Sequence, residues 1–229
     1  MGAHILEKRS ESSGTEALSH ITEQRRLLDA GLVSWNIDAF SSRPVARAKL
    51  ILDRILQVPK YPDVIFLQEA MSDVRDALLD DGRVRAALLV TDAEDQTSFE
   101  GVPFATMTLL FRARFASGPE SQKEGDGIER GGKFMLGCVS RATLPSKYGR
   151  DGLYVDIIPP TAPPGTVFRL VNVHLDSLGD TQSFRAQQIK MLADILREPG
   201  CSGGIIAGDS NAISPEDDGF VDKSDLVDA

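Results

Sequence analysis

Short apolar runs of β-strand length recur along the chain, and several of them end in polar or turn-forming residues. Residues 32–37 and 64–67 are rich in the apolar and β-branched side chains that are typical of buried strands. The same pattern predicts further strands at about residues 86–90, 104–111, 134–140, 153–158 and 167–173, and a last clear strand at residues 204–207. The chain is therefore rich in strands.

A helical period appears between some of these strands. Pro44 is well placed for the first turn of a helix. The apolar face of that helix is formed by Ala48, Ile51, Leu52, Ile55 and Leu56. Ser72 can cap a second helix that runs to about residue 79, and residues 183–197 form a further amphipathic pattern. Because helices lie between strands, we expect an α+β fold of packed sheets with helices on the outer faces.

The first thirty residues do not share this pattern. Residues 1–30 are polar and mixed in charge, with sparse apolar positions. We expect a flexible N-terminal tail over residues 1–30 and one folded domain over residues 31–229. The whole chain of 229 residues is 41% hydrophobic, which is enough for one substantial core.

The charge of the chain limits the kind of partner it can bind. A formal net charge of −9 argues against a broad surface for gripping nucleic acid, because such surfaces are usually basic. A site for a single phosphate is still compatible with this charge. Residues 41–60 carry five cations and one carboxylate, and residues 216–229 carry six carboxylates and one lysine. We interpret the first segment as a solvated helix face and the second as a solvated loop.

Two features bear on the compartment. Cys138 and Cys201 are too few for a disulfide framework and lack the spacing of metal ligands, which favours an intracellular, reducing compartment, either nucleus or cytoplasm. No apolar stretch approaches the length of a membrane span, and the N-terminus lacks the apolar core of a signal peptide. We expect a monomer with no membrane span.

Polar side chains cluster at the ends of four predicted strands. They are Asn36 and Asp38 after the first strand, Glu69 after the second, Asn172, His174 and Asp176 around the strand that ends near residue 175, and Asp209 and Asn211 after the last. Side chains two residues apart in an extended segment point the same way, so Asp209 and Asn211 can converge. A single carboxylate after a strand is more often a turn former. The complete set exceeds what turn chemistry explains.

Four motifs resemble those of the endonuclease/exonuclease/phosphatase superfamily in order and rough spacing. They are Ser34-Trp35-Asn36-Ile37-Asp38, Leu67-Gln68-Glu69, Asn172-Val173-His174-Leu175-Asp176-Ser177 and Gly208-Asp209-Ser210-Asn211. The first motif is most similar to the 5′-tyrosyl-DNA phosphodiesterase branch, because a Trp precedes the Asn and Ile-Asp follows it. The match runs from residue 31 to about residue 221.

The resemblance implies a four-layer α/β/β/α sandwich of two mainly antiparallel sheets, with a site where strand ends of both sheets meet. It implies that Glu69 is the main metal ligand, with Asn36 beside it as a ligand and catalytic residue. Ligation by oxygen alone suits Mg²⁺, with Mn²⁺ as a substitute. One such cation stabilises the charge that in-line attack places on the phosphoryl oxygens.

The resemblance also implies roles for the remaining polar residues. Asp209 would orient or deprotonate the attacking water, and Asn211 would hold that water or a phosphate oxygen. His174 would donate a hydrogen bond to a non-bridging phosphate oxygen. Asp38 and Ser177 would lie at the edge of the substrate or behind the catalytic groups.

The chain departs from the superfamily pattern after Asn211. Members normally continue to a Ser-Asp-His motif whose histidine is credited with a catalytic role, and this segment is absent here. Ser224-Asp225 is followed by Leu226 instead of a histidine. We therefore expect a sheet without its last strands and with an exposed edge. We also expect activity to be reduced on the order of a thousandfold or more.

The resemblance implies a Mg²⁺-dependent phosphodiester hydrolase that acts on DNA 5′ ends, in DNA repair, or on another phosphodiester. One alternative is a hydrolase of a small phosphate ester, such as a phosphoinositide, a sphingolipid or a nucleotide, which the acidic composition favours. A second alternative is a non-catalytic relative that keeps the fold, which the absent C-terminal motif favours.

Overall fold

The computed structural model describes the backbone of residues 4–8 and, with their side chains, residues 31–58, 61–117, 133–160 and 162–228. The strands are β1 (His4–Lys8), β2 (Leu32–Asn36), β3 (Val64–Ala70), β4 (Leu88–Val90), β5 (Ala105–Phe111), β6 (Phe115–Ala116), β7 (Phe134–Thr143), β8 (Asp151–Ile158), β9 (Val167–His174), β10 (Cys201–Asp209) and β11 (Leu226–Asp228). The helices are α1 (Pro44–Leu56), α2 (Ser72–Asp80), α3 (Gly82–Ala87), α4 (Gln182–Ile195) and α5 (Pro215–Lys223).

The strands form two mixed sheets. The larger sheet has the order β11-β1-β10-β9-β8-β7-β6, and the smaller has the order β2-β3-β5-β4. Most neighbouring strands are antiparallel, but β2 with β3, β6 with β7, and β9 with β10 are parallel. The pairs β2–β3 and β9–β10 matter for the site, because parallel neighbours end at the same edge of a sheet.

Apolar side chains alternate along the strands between two environments. In β3, Val64 and Phe66 belong to the core between the sheets, whereas Ile65 and Leu67 pack with α1 and α2. In the larger sheet, Val171 packs against α4. The layers therefore follow the order helix, sheet, sheet, helix. This arrangement confirms the predicted α+β sandwich of two mainly antiparallel sheets.

The helices bury the faces that their sequences predict. α1 has Pro44 in its first turn and buries Ala48, Ile51, Leu52 and Ile55. α4 buries two polar side chains, Arg185 and Gln188, beside its apolar residues. No helix in the described ranges is long and apolar enough to cross a membrane.

The N-terminal segment differs from the expectation of a tail. β1 pairs antiparallel with both β10 and β11, so residues 4–8 belong to the larger sheet. A five-residue segment carries little periodic signal of its own, and its strand depends on partners that are distant in sequence. Most of the predicted tail lies outside the described residues. β1 and β11 continue the larger sheet beyond β10, so the edge of the sheet on that side is the short strand β11, which has two exposed residues.

The acidic C-terminal segment is a helix and a strand, not the solvated loop that its charge indicated. Ser214 and Asp217 form a capping box at the start of α5, and Pro215 occupies its first turn. Asp217 is buried, and its carboxylate accepts a hydrogen bond from Arg185 Nε over 2.8 Å. Tertiary pairing of this kind is invisible in a run of like charges.

A candidate active site at the strand ends

Two parallel strand pairs bring the predicted site residues to one edge of the sandwich. Asn36 ends β2 beside Gln68 of β3, and the register pairs His174 of β9 with Asp209 of β10. The two sheets meet there, because Asn36 Nδ2 donates a hydrogen bond to Asp209 Oδ2 over 2.8 Å. Residues from all four sequence motifs therefore lie at one place.

Glu69 lies at an irregularity of β3. The register of β3 against β5 shifts between Leu67 and Ala70, and Glu69 has a φ of 56°. A left-handed backbone is uncommon for a residue other than glycine and costs on the order of 1–3 kcal/mol. The backbone N–H of Ala39 donates to Glu69 Oε2 over 2.9 Å. This bulge places the carboxylate in the site.

Asn36 connects the two carboxylates of the site. Its Nδ2 donates to Glu69 Oε1 over 3.1 Å as well as to Asp209, and its Oδ1 accepts from the Asp38 backbone N–H over 2.8 Å. The Glu69 and Asp209 side chains are only 14% and 10% exposed. Two sheltered carboxylates that lie this close favour a cation between them.

The donor groups fit a hard divalent cation. Glu69 and Asp209 offer carboxylate oxygens, and Asn36 faces both of them with its N–H₂ while its Oδ1 accepts from the Asp38 backbone N–H. Mg²⁺ is usually bound by one or two carboxylates, with water and phosphate oxygens completing its shell. Across the described part of the chain, no group of three or more His, Cys, Asp and Glu side chains forms a metal site. Two carboxylates would leave positions on such a cation for water or phosphate oxygens.

His174 is buried beside these carboxylates. Its Nε2 lies 3.7 Å from Glu69 Oε1 and 3.9 Å from Asp209 Oδ2. Burial, and then the positive charge of Arg150, lower the pKa of His174 to about 4, although nearby carboxylates oppose the shift. The imidazole is therefore neutral near pH 7 and offers one N–H donor. The ring stacks on Phe104 with the ring centroids 5.6 Å apart.

Asn211 lies beside Asp209 and supports it. The Asn211 backbone N–H donates to Asp209 Oδ1 over 3.1 Å, and its Nδ2 donates to the Leu175 carbonyl over 2.8 Å. The turn also packs closely on β9, because a Cβ at Gly208 would lie 2.0 Å from the Val173 carbonyl oxygen. The side-chain N–H₂ of Asn211 is therefore hydrogen-bonded to the Leu175 carbonyl, and only the backbone N–H of Asn211 contacts a site residue, Asp209.

The two residues expected near the substrate lie at the rim. Asp38 is exposed, with a φ of 61°, and its backbone N–H is the group that contacts Asn36. Ser177 is half-buried and lines a cavity of about 390 Å³ that also includes His174. Apolar and aromatic side chains form much of the cavity wall, namely Phe40, Val102, Phe104, Tyr148 and Leu178.

Arg150 is a candidate site residue that the sequence analysis missed. Its side chain is 10% exposed, and its Nε lies 3.9 Å from Asp176 Oδ1 with no hydrogen-bond partner among the described residues. Its guanidinium lies 5.1 Å from the Phe104 ring centroid. Burial lowers the pKa of Arg150, against the attraction of three site carboxylates. In sequence, Arg150 stands between Gly149 and Asp151 and resembles part of an exposed turn.

Asp176 fixes the segment that carries Arg150. Its side chain is fully buried and accepts hydrogen bonds from Ser146 Oγ over 2.6 Å and from the Lys147 backbone N–H over 2.8 Å. Gln188 accepts from the Asp176 backbone N–H over 3.1 Å and donates to the Pro145 carbonyl over 2.8 Å. These bonds attach residues 145–150 to the end of β9.

The fold is a two-sheet sandwich in which strand ends of both sheets form a candidate active site. The sequence matches the Endonuclease/Exonuclease/phosphatase family over residues 33–229. The chain belongs to this family, whose members are phosphodiesterases and phosphatases. The predicted resemblance is thereby confirmed.

Solved structures show the same fold. TDP2 of D. rerio in complex with a single-strand DNA product has a TM-score of 0.59 and 20% identity, and the match covers 82% of this chain and 63% of that one. Truncated Caenorhabditis elegans TDP2 has a TM-score of 0.55, 20% identity, and coverage of 81% and 63%. The human Nocturnin catalytic domain with bound sulfate has a TM-score of 0.51, 20% identity, and coverage of 83% and 66%.

These similarities establish the fold, and two of the three structures are of TDP2, a tyrosyl-DNA phosphodiesterase. The chain spans 63% to 66% of the length of these three structures, which is slightly less than two thirds. No curated protein sequence matches the chain.

Proposed function

We propose that this chain is a Mg²⁺-dependent phosphodiester hydrolase, with Mn²⁺ as a possible substitute for Mg²⁺. The observation that carries the proposal is the convergence of two sheltered carboxylates on one amide, because Asn36 Nδ2 donates to both Glu69 and Asp209. His174 Nε2 lies within 4 Å of both carboxylates, at 3.7 and 3.9 Å. Such a set can hold a cation and a phosphoryl group side by side.

Each of these side chains has a role in the proposal. Glu69, with Asn36 beside it, would hold the cation, which when bound neutralises charge on the phosphoryl oxygens. Asp209 would orient or deprotonate the attacking water. His174, being neutral, would donate its N–H to a non-bridging oxygen, and Arg150 would add positive charge from the cavity side.

Residues at the margin act less directly. Asn211 donates its backbone N–H to Asp209 and its side chain to Leu175, which supports a role in aiming Asp209 more than a contact with phosphate. Ser177 lines the cavity and Asp38 is exposed at the rim, so both would border the bound substrate.

Two substrate classes have support. A DNA 5′ end is the first candidate, which would give the protein an intracellular role in DNA repair, because a TDP2 structure with a single-strand DNA product shares the fold. A small phosphate ester is the second candidate. Phe40, Val102 and Leu178 line the cavity beside His174 and would suit an apolar group attached to a single phosphate.

A chromogenic diester tests the proposal. We expect the nitrophenyl ester of thymidine 5′-phosphate to be hydrolysed in Mg²⁺ and not in EDTA. Glu69→Gln should lower kcat about a hundredfold or more, because it removes a charged ligand. Glu94→Gln is the matched control, since Glu94 is exposed, and it should keep full activity. Turnover that persists in EDTA, or a fully active Glu69→Gln variant, would contradict the proposal.

A further inference from the structure

The exposed face of α1 carries positive charge that the active site does not use. Arg43, Arg47, Leu50 and Arg54 are all exposed and follow one another at intervals of four, three and four residues. This spacing places Arg47, Leu50 and Arg54 along one side of α1, beside its buried face, and Arg43 immediately precedes the helix. We refer to Arg43, Arg47 and Arg54 as the basic stripe.

The charges of the basic stripe are not neutralised by their surroundings. None of its three arginines forms an ion pair with another residue in the described part of the chain. The single carboxylate in α1, Asp53, is paired with Arg83 Nη1 over 2.5 Å. In a chain with a net charge of −9, the stripe is therefore a local region of positive potential.

The basic stripe begins at the edge of the sandwich that carries the site. β2 and β3 are parallel neighbours, so α1, which connects them, runs back from the edge where Asn36 ends β2. Arg43 therefore lies near the site edge, and Arg54 lies about 16 Å farther along, at 1.5 Å per residue. The intervening loop is tied to the site by the bond from Ala39 N–H to Glu69.

We propose that the basic stripe binds the phosphates of a single-stranded nucleic acid whose 5′ end lies in the active site. This inference rests on the proposed function and names its substrate class. Its support is charge complementarity, because cations in one line lead away from a site for one phosphate. An anionic membrane would need a broad apolar face. Leu50, at 69% exposed, is the one large exposed apolar side chain of α1.

The basic stripe distinguishes the two candidate substrates. A small phosphate ester reaches the site alone, whereas a strand reaches both the site and α1. A strand that contacts the stripe releases counterions, so log kcat/KM should fall with log salt by about 0.7 for each phosphate contact. Hydrolysis of a small ester should depend much less on salt.

Two esters with the same reacting centre test the proposal. One is the nitrophenyl ester of thymidine 5′-phosphate, and the other carries that ester at the 5′ end of a short oligothymidylate. The stripe variant is Arg43→Gln/Arg47→Gln/Arg54→Gln. The control variant removes three exposed cations elsewhere and is Arg112→Gln/Lys190→Gln/Lys223→Gln.

We expect the stripe variant to lose about tenfold or more in kcat/KM for the strand ester and nothing for the mononucleotide ester. Its salt slope should shrink by about 2, for three lost contacts at about 0.7 each. The control variant should keep the preference for the strand ester. If the stripe variant lost kcat/KM equally for both esters, the substitutions would be acting on the active site. If the stripe and control variants lost kcat/KM equally for the strand ester, the cause would be the change in net charge. Either result overturns the proposal.

A binding measurement separates this inference from the proposed function. If the wild-type chain hydrolyses neither ester, the proposed function fails, but fluorescence anisotropy of a labelled oligothymidylate still tests the stripe. Weaker binding in the stripe variant alone supports the inference. Unchanged binding in that variant, or stronger binding of the wild-type chain to anionic phospholipid vesicles than to oligothymidylate, overturns it.

Discussion

Two buried nitrogen atoms in the site, His174 Nδ1 and Arg150 Nε, have no hydrogen-bond partner among the described residues. Leaving a buried polar group unsatisfied costs about 1–3 kcal/mol, and native structures keep few such groups. Both residues line the same cavity and contact Phe104. A hydrogen bond to water or to a bound ligand in this cavity would satisfy both nitrogen atoms.

Arg150 and His174 are also coupled by charge, and this gives a prediction. Arg150→Gln should raise the pKa of His174 above its value of about 4, because a positive neighbour that disfavours the imidazolium is removed. Burial remains, so the pKa should stay below the ordinary 6.5. An NMR titration in EDTA measures this, with His4 and His20 as the other two histidine signals. Arg112→Gln is the control, and an unchanged His174 pKa in Arg150→Gln would contradict the coupling.

The residues that the sequence predicted and those it missed differ in one respect. Asn36, Glu69 and Asp209 belong to short motifs at strand ends, which strand patterns and turn signals locate in the sequence. Arg150 depends on burial against Phe104 and on its approach to a carboxylate in another segment. No local pattern encodes such a contact, so the sequence alone did not indicate it.

At the scale of elements, α4 holds the loops of the site together. Arg185 Nη1 donates to the carbonyls of Asp176 and Leu178 over 3.1 and 2.8 Å, and Arg185 Nε and Nη2 donate to the two carboxylate oxygens of Asp217 over 2.8 and 3.0 Å. One buried arginine thus connects the loop after β9 with the start of α5. The same helix reaches residues 145–150 through Gln188.

Breaking the buried pair should destabilise the fold. Asp217→Asn leaves Arg185, whose side chain is 1% exposed, without its counter-charge, and we expect a loss of about 3–5 kcal/mol in the free energy of unfolding. Asp218→Asn removes an exposed carboxylate from the same turn and should cost less than about 1 kcal/mol. Urea denaturation of the two variants provides the comparison. Equal stabilities would show that the pair contributes little.

The same pair should make stability depend on pH. Burial alone would raise the pKa of Asp217, but hydrogen bonds from Arg185, Ile213 and Ser214 lower it below the ordinary 3.8. A lowered folded pKa contributes stability that is present above the unfolded pKa and is lost as pH falls through the folded pKa. Wild-type stability should therefore fall below about pH 4, and Asp217→Asn should show a shallower fall. Parallel curves would contradict this assignment.

The elements that the sequence predicted are long or strongly periodic, and those it missed are short. We predicted a strand from about residue 86, but residues 82–87 form the short helix α3. Asp81 caps this helix, because its side chain accepts a hydrogen bond from the Arg83 backbone N–H over 2.8 Å. β1 and β11 have five and three residues and pair with each other across the chain. Such elements depend on distant partners more than on local propensity.

At the scale of the whole molecule, the sequence predicted the layered sandwich, because segments with the apolar pattern of strands alternate with segments that have the apolar period of helices. The sequence predicted the distribution of charge over the surface only in part. Composition showed an acidic chain and a basic segment, but the exposure of Arg47 and Arg54 on one side of α1, with Arg43 just before it, required the fold. The candidate site and the basic stripe together support the proposal of a phosphodiester hydrolase that binds a single strand.

We propose that Glu69, with Asn36 beside it, holds a divalent cation close to Asp209, and Mn²⁺ binding is the measurement that tests this proposal. Electron paramagnetic resonance of free Mn²⁺ should show one site per chain in the wild-type protein and in Glu94→Gln, with Mg²⁺ displacing the bound ion. Glu69→Gln should lose that site while keeping the folded circular dichroism spectrum. A wild-type chain that binds no Mn²⁺, or a Glu69→Gln variant that binds it as tightly as wild type, would show that Glu69 holds no cation.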